Sequence, residues 1–173
     1  LVLSPGIDFV KDSVRGWDLS SQNKMPHAYK AGSQTELLKR QVESMRQGGN
    51  YVMVAPPNPY RCPPGPYERV SMVAHVLKQK NPKAKILIFD PKKKFSKQAL
   101  FQEGWAKHYP GMIEWLDVSF AGKLEEVRPD SMEVVVGGEV TKADVCNVIP
   151  AMKAGRIVDM AGIANKKGWA PVV

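Results

Sequence analysis

The residues with the clearest chemical potential lie in one short stretch, NPYRCPPGPYER (58–69), which contains Cys62, one of two cysteines in the chain. Arg61 precedes this cysteine, and a predicted helix begins a few residues after it. A neighbouring cation and the positive end of a helix dipole both favour the thiolate form of cysteine. The stretch therefore predicts a nucleophilic, redox-active thiol at Cys62. The alternative is a buried and inert cysteine, which is the commoner role of a lone cysteine.

The remaining candidate side chains are isolated from one another. Cys146 lies in the apolar run VCNVI and is predicted to be a packed core thiol. His27, His75 and His108 are far apart, and each is predicted to be a surface or packing residue. Zinc ligands normally come in closely spaced pairs, and the sequence has no CxxC motif or Cys/His cluster, so no metal site is predicted.

The stretch follows a predicted strand at the position where dinucleotide-binding folds carry the G-x-G-x-x-G turn. Here the turn has a single glycine, Gly65, and prolines remove six N–H donors and prevent close approach of a phosphate. These prolines are Pro56, Pro57, Pro59, Pro63, Pro64 and Pro66. We therefore predict no NAD(P) site. Asp90, at the end of the next strand, has the position of a ribose-binding carboxylate, but without the glycines a turn-capping role is favoured.

The elements that position this loop follow from hydrophobic periodicity. Buried strands are predicted at 51–55 and 85–90, and a third strand is predicted at 112–116. A capping box at Ser33–Glu36 predicts a helix of about four turns that Gly48 and Gly49 end. Pro66 predicts the first turn of a second helix, and a third helix is predicted over Ser96–His108, presenting Leu100, Phe101 and Trp105 to the core.

Alternation of these strands and helices predicts an α/β fold with a Rossmann-like parallel sheet and helical crossovers. The runs between 118 and 149 are interrupted by turn signals at Pro129-Asp130 and Gly137-Gly138. They predict a β-meander that ends in a buried strand. A short helix is predicted around Ile157–Ala161.

The charge balance is basic, with 25 Lys and Arg against 17 Asp and Glu, a net charge of +8. The densest run, Lys92-Lys93-Lys94, has no RNA-motif aromatic residues around it, so nucleic acid is not a predicted partner. We interpret the run as a solvated turn, with a docking face for an acidic partner as the alternative. No apolar run approaches the roughly 18 residues of a transmembrane helix, and the start of the chain suggests a mature or excised piece.

Five segments together resemble the flavoprotein subunit of flavocytochrome c sulfide dehydrogenase: PPNPYRCPPGPYER, SPGIDF, AYKAGSQTELLKRQ, FSKQALFQEGW and NVIPAMKAGRI. More distantly, the chain is similar to sulfide:quinone oxidoreductases and to glutathione-reductase-like flavoproteins. The resemblance implies a Rossmann-like middle domain, a degenerate nicotinamide-binding domain, at 31–150. Residues 1–30 and 151–173 would then be its junctions with an FAD-binding domain.

The same resemblance implies the chemistry. Cys62 would pair with a cysteine outside this chain in a redox-active disulfide beside FAD, and Pro5, Gly6 and Trp169 would lie near the flavin. Sulfide would be the substrate, a c-type cytochrome subunit the electron acceptor, and the periplasm the location. The chain alone would be inactive. The alternatives are a non-catalytic Rossmann-like scaffold domain or a relative that reduces quinone.

Overall fold

The computed structural model describes residues 2–171, which form nine strands and four α-helices. The strands are β1 (Ile7–Phe9), β2 (Asn50–Val54), β3 (Lys85–Asp90), β4 (Ile113–Asp117), β5 (Leu124–Arg128), β6 (Glu133–Val136), β7 (Glu139–Lys142), β8 (Val145–Val148) and β9 (Met152–Ala154). The helices are α1 (Ser33–Glu43), α2 (Gly65–Lys80), α3 (Gln98–His108) and α4 (Ile157–Met160), and a single 3-10 turn covers Ser21–Asn23.

Four parallel strands form the central sheet, in the order β4-β3-β2-β8. Tyr51 of β2 lies opposite Ile86 of β3 on one side and Val145 of β8 on the other. The side chains of β2 are buried on both faces, as the continuous apolar run 51–55 predicted. The predicted α/β fold with a Rossmann-like sheet is confirmed.

Helices α1, α2 and α3 cover one face of this sheet. Their buried contributions include Leu38 and Val42 from α1, Val70 and Leu77 from α2, and Trp105 from α3. The prediction that Leu100 faces the core is wrong, because its side chain is 67% exposed. The helix begins at Gln98 instead of Ser96, and Phe101 and Trp105 provide its packing face without Leu100.

The antiparallel sheet β5-β6-β7 covers the opposite face. Val127, Val134 and Val136 pack in one cluster with residues of the central sheet that include Val52 and Cys146. The predicted meander is confirmed for β5 to β7, but the buried strand that follows it does not belong to the meander. Cys146 of β8 lies opposite Val52 of β2, and all four residues of β8 are buried, as suits a strand of the parallel sheet that is covered on both faces.

The start of α1 differs from the predicted capping box. Gly32 occupies the N-cap with a φ of 105°, its carbonyl accepts hydrogen bonds from the N–H groups of Thr35 and Glu36, and no side chain caps the helix. Ser33 is therefore already helical, one position too late to cap. The helix has 11 residues, about three turns, and ends at Glu43, before Gly48 and Gly49.

The two ends of the described chain are joined by a short antiparallel pair. Asp8 of β1 lies opposite Lys153 of β9, and the N–H of Gly155 donates to the carbonyl of Gly6 at 3.2 Å. A side chain at Gly155 would collide with the carbonyl of Pro5, so this close approach requires glycine. α4 then follows, as predicted around residues 157–161.

Within residues 2–171 there is no helix with the length and apolar character needed to cross a membrane.

Candidate functional site

The loop between β2 and α2 (residues 55–64, called the proline loop below) lies at the carboxyl edge of the central sheet and carries Cys62. Cys62 is exposed and has a φ of 58°, in the left-handed region that residues other than glycine rarely adopt. Its carbonyl accepts a hydrogen bond of 2.8 Å from the N–H of Gly65, the first residue of α2. The structure thus places the thiol at the start of a helix, as the sequence predicted, with Pro66 in the first turn.

Tyr29 is the residue at this thiol that the sequence analysis missed. A Cβ placed on Gly65 would lie 2.8 Å from the Tyr29 hydroxyl and 3.2 Å from Cys62 Sγ, so both groups border the same space beside Gly65. The same hydroxyl lies 3.5 Å from the Cys62 carbonyl. Because Tyr29 is 33 residues away in sequence and outside every predicted element, no local pattern indicated the contact.

The segment that carries Tyr29 is held against the body of the domain by Arg69 of α2. The Arg69 guanidinium donates to the carbonyls of His27 and Ala28 and to Asn147 Oδ1, and it lies 5.2 Å from the centre of the Tyr29 ring. Asn147, on β8, donates to the His27 carbonyl at 3.1 Å. Tyr29 is therefore positioned by contacts from two separate elements of the fold.

Beneath the proline loop lies a buried ion pair between Asp90 and Lys92. The side chains are 0% and 8% exposed, and Lys92 Nζ lies 2.7 Å from Asp90 Oδ1. Asp90 also accepts hydrogen bonds from the N–H of Lys92, from the Tyr67 hydroxyl and from the Trp115 indole N–H. The predicted turn-capping role of Asp90 is confirmed. Since all of these donors belong to the protein, both carboxylate oxygens are occupied and neither is left for a ribose hydroxyl.

Lys92 contradicts the interpretation of the lysine run as a wholly solvated turn. Lys93 and Lys94 are exposed, but the Lys92 side chain turns inward because Asp90 compensates its charge. Its ammonium donates to the Pro56 carbonyl at 2.5 Å and lies 5.0 Å from the Tyr60 ring centre. Burial lowers the pKa of Lys92, and the Asp90 carboxylate opposes that shift.

Tyr60 holds the far end of the same loop. Its hydroxyl donates to the Pro63 carbonyl at 2.8 Å, next to Cys62, and burial raises its pKa to about 12. The phenol therefore stays protonated and remains a donor across the physiological pH range. Lys92 therefore ties the proline loop to the domain at Pro56, and the bond from Tyr60 to Pro63 braces the loop internally beside Cys62.

A cavity of about 160 Å³ lies on the meander side of this edge. Val54, Phe89 and Leu116 line it from the central sheet, Ile149 lines it just after β8, and Leu124 lines it from the meander. The lining is mainly apolar, and the volume is below the roughly 300–1,000 Å³ of ordinary small-molecule sites. This cavity is accordingly a packing space next to the proline loop, with no built cradle for a phosphate.

Pro5, Gly6 and Trp169 lie together on the β1–β9 side of the molecule. The carbonyl of Gly168, next to Trp169, accepts from the N–H of Ala154, beside the Gly155 contact with Pro5 and Gly6. Trp169 packs against the same hydrophobic cluster as Tyr29. The Asp8 carboxylate, two residues after Gly6, pairs with Lys30 at 2.8 Å, which links this side to the Tyr29 segment.

The part of the chain that contains this fold and the proline loop matches a known protein family. Residues 35–150 match the family described as the central region of the flavoprotein chain of sulfide dehydrogenase (flavocytochrome c). The chain belongs to this family. The match covers the whole central sheet, the meander, the proline loop and Cys62. This sulfide dehydrogenase family makes the chain part of an oxidoreductase flavoprotein, and its description implies a flavin cofactor and a cytochrome partner.

The other cysteine and the three histidines lie in the core or on the surface of this sulfide dehydrogenase domain. Cys146 is fully buried, and burial raises its pKa to about 12, so the predicted core thiol is confirmed. His75 and His108 are exposed, and His27 is packed against Phe9. The described residues contain no group of three or more His, Cys, Asp or Glu side chains that could hold a metal ion.

The buried His27 is expected to make the stability of the domain depend on pH. Burial, aided by the charges of Lys30 and Arg69, lowers its pKa from 6.5 to about 4. The unfolded chain therefore binds a proton between these values that the folded chain does not, so stability falls as the pH drops from about 7 to 4. We expect a loss of about 1–3 kcal/mol over this window, measured by urea unfolding of the chain.

The His27→Gln variant should show a flatter decline, because glutamine does not titrate and its amide oxygen can still accept from the Tyr29 N–H, which is 2.9 Å from His27 Nδ1. His75→Gln, on the exposed face of α2, is the matched control and should follow the native profile. Equal pH slopes for the native chain and His27→Gln would contradict the prediction.

Proposed function

We propose that this domain takes part in sulfide oxidation by an FAD-dependent sulfide dehydrogenase, with Cys62 as a redox-active sulfur. The observation that carries the proposal is the setting of Cys62: an exposed thiol at the start of α2, on a loop that Lys92 ties to the domain and Tyr60 braces internally, in a member of a sulfide dehydrogenase family. An open α/β sheet binds its ligands at this carboxyl edge.

The proposed domain organisation places the Rossmann-like middle domain at 31–150, with junctions to an FAD-binding domain at 1–30 and 151–173. Support comes from the pairing of β1 with β9, which brings the chain segments before and after the middle domain together. A chain that leaves and re-enters a neighbouring domain requires two such adjacent connections. The proposed location of the complete protein is the periplasm.

FAD would be held mostly by parts of the protein outside residues 2–171. Two features on the β1–β9 side fit a flavin-facing role. Gly6 has a φ of 64° with open space where a side chain would be, and the Trp169 indole N–H is buried with no acceptor among the described residues. When bound, FAD supplies a two-electron acceptor that can pass electrons on one at a time to a c-type cytochrome subunit.

The proposed chemistry at Cys62 is thiol–disulfide exchange. Cys62 starts in a disulfide with a cysteine outside this chain, and hydrosulfide attacks one of the two sulfurs. A new S–S bond forms a persulfide, the original S–S bond breaks, and the displaced sulfur departs as a thiolate that carries the electron pair. Because the second cysteine is not among these 173 residues, the chain alone is expected to be inactive.

The experiment that tests this function is an anaerobic sulfide titration of the complete flavoprotein, followed by flavin absorbance. We expect sulfide to bleach the flavin, and we expect alkylation after mild reduction, mapped to Cys62 by peptide mass, to abolish the bleaching. Cys146 is buried and should remain unlabelled, which serves as an internal control. Full bleaching of the flavin after alkylation of Cys62 would contradict the proposed role of Cys62 and would favour the alternative of a non-catalytic scaffold domain. Reduction of quinone in preference to cytochrome c would favour the quinone-reducing alternative.

Nicotinamide cofactors are not expected to bind this domain. The proline loop offers few N–H donors, and both oxygens of Asp90 already accept hydrogen bonds from Lys92, Tyr67 and Trp115. We expect isothermal titration of the chain with NADH or NADPH to give no binding heat at micromolar concentrations. Micromolar affinity for either cofactor would overturn this expectation and would indicate a nicotinamide-binding domain with a divergent loop.

A further inference from the structure

We propose that Tyr29 is a positioning residue for Cys62, with a hydroxyl that donates a hydrogen bond to the Cys62 sulfur when that sulfur carries negative charge. The inference rests on the proposed function of Cys62 and extends it to a second side chain. No sequence pattern indicated a role for Tyr29.

The first support is proximity. The Tyr29 hydroxyl and Cys62 Sγ lie 2.8 Å and 3.2 Å from one point, the place that a Cβ on Gly65 would occupy. Because Gly65 has no side chain, the space between the hydroxyl and the sulfur at the first turn of α2 is open. The third of the three atoms nearest to this point is Cys62 Cβ, at 3.5 Å.

The second support is that the hydroxyl is an available donor. Within residues 2–171 it donates to the Cys62 carbonyl at 3.5 Å, which is the long limit of a hydrogen bond. Burial raises the pKa of Tyr29, so the phenol keeps its proton at physiological pH. A short movement of the hydroxyl from the carbonyl to a thiolate would exchange a weak hydrogen bond for a charge-assisted one.

The third support is that Tyr29 is held in place independently of Cys62. Its N–H donates to His27 Nδ1 at 2.9 Å, and its ring lies over the Arg69 guanidinium, which also binds the carbonyls of His27 and Ala28. A donor fixed in this way need not be reoriented when charge develops on the sulfur, which is the condition for electrostatic stabilisation by a positioned dipole.

The test measures the rate of Cys62 alkylation by iodoacetamide against pH in the complete, mildly reduced flavoprotein. In Tyr29→Phe, which keeps the ring, we expect the pH of half-maximal rate to rise and the rate near pH 7 to fall about 3- to 10-fold, since a hydrogen bond to the thiolate is lost. Tyr109→Phe, at the opposite edge of the sheet, is the matched control and should keep the native profile. A native profile in Tyr29→Phe, or the same shift in Tyr109→Phe, would overturn the inference.

Gly65→Ala provides a second variant should Tyr29→Phe not fold. Its methyl group would lie within 3.2 Å of both the hydroxyl and the sulfur, so it must push them apart and slow alkylation in the same direction. A native pH profile of Cys62 alkylation in Gly65→Ala would also contradict the inferred hydrogen bond from Tyr29 to the Cys62 thiolate. The alkylation profile decides the role of Tyr29, whereas the sulfide titration decides the role of Cys62, so the failure of one proposal is distinguishable from the failure of the other.

Discussion

Sulfide-dependent cytochrome reduction by the complete flavoprotein is expected to fall by about a thousandfold or more when Cys62 is replaced by serine. A serine hydroxyl can neither form the disulfide that sulfide attacks nor leave as a thiolate, so the exchange has no first step. The measurement is the steady-state rate of cytochrome c reduction at saturating sulfide under anaerobic conditions. Flavin content should be unchanged, because the exposed Cys62 side chain contributes little packing.

Cys146→Ala is the matched control for this variant. Cys146 is the other cysteine of the chain, but it is fully buried in β8, next to Val52 of β2. Its replacement removes one buried sulfur and should cost about 1–2 kcal/mol of stability while leaving the sulfide-dependent rate within a few-fold of native. A Cys62→Ser protein that reduces cytochrome at the native rate would contradict the proposed role of Cys62.

The largest expected effect on stability comes from Lys92→Met. This change removes the ammonium that compensates Asp90, whose side chain is fully buried, and it removes the hydrogen bond to the Pro56 carbonyl. Removing one partner of a buried ion pair leaves a charge without compensation, which typically costs about 3–5 kcal/mol. Urea unfolding of the chain measures the loss, and tryptophan fluorescence is a suitable signal because Trp115 donates directly to Asp90.

Lys93→Met is the control, because Lys93 is the exposed neighbour in the same run and its replacement should change stability by no more than about 0.5 kcal/mol. The double variant Asp90→Asn with Lys92→Met should recover part of the loss, since it leaves no buried charge while the amide oxygen still accepts from a neighbouring donor. Equal stabilities for Lys92→Met and Lys93→Met would show that the ion pair of Asp90 with Lys92 contributes nothing to the stability of the domain. A double variant less stable than Lys92→Met would exclude charge burial as the cause.

The strands of the central sheet could be predicted because their signal is local. The predicted strand 85–90 is the same as the observed β3, and the apolar run 51–55 differs from β2 by one residue at each end. Each is a continuous apolar run between polar turns, and burial on both faces is the only environment that satisfies such a run. The start of α2 was predictable for a similar reason, since Pro66 fits the first turn of a helix.

The errors in the prediction have a common physical origin. Ser33 has the residue type of a helix cap, but Gly32 takes the cap position, and Leu100 has a helical spacing but faces solvent. In both cases the local pattern is compatible with the predicted arrangement and with the observed one. Packing against the rest of the domain selects the observed one. β8 is a further example, because its apolar residues fit either a meander or a parallel sheet until the position of β2 is known.

By itself the sequence determined the α/β class, the strand and helix that flank the proline loop, and the placement of Cys62 at a helix start, because each depends on neighbours a few residues apart. Only the tertiary structure decided which side chains surround that loop. Lys92 turns inward to Asp90, and the hydroxyl of Tyr29, 33 residues away in sequence, reaches the Cys62 carbonyl beside Gly65. Such contacts depend on how separate elements pack. Charge compensation between Lys92 and Asp90, and the missing side chain of Gly65, favour these contacts only after the fold has brought the partners together.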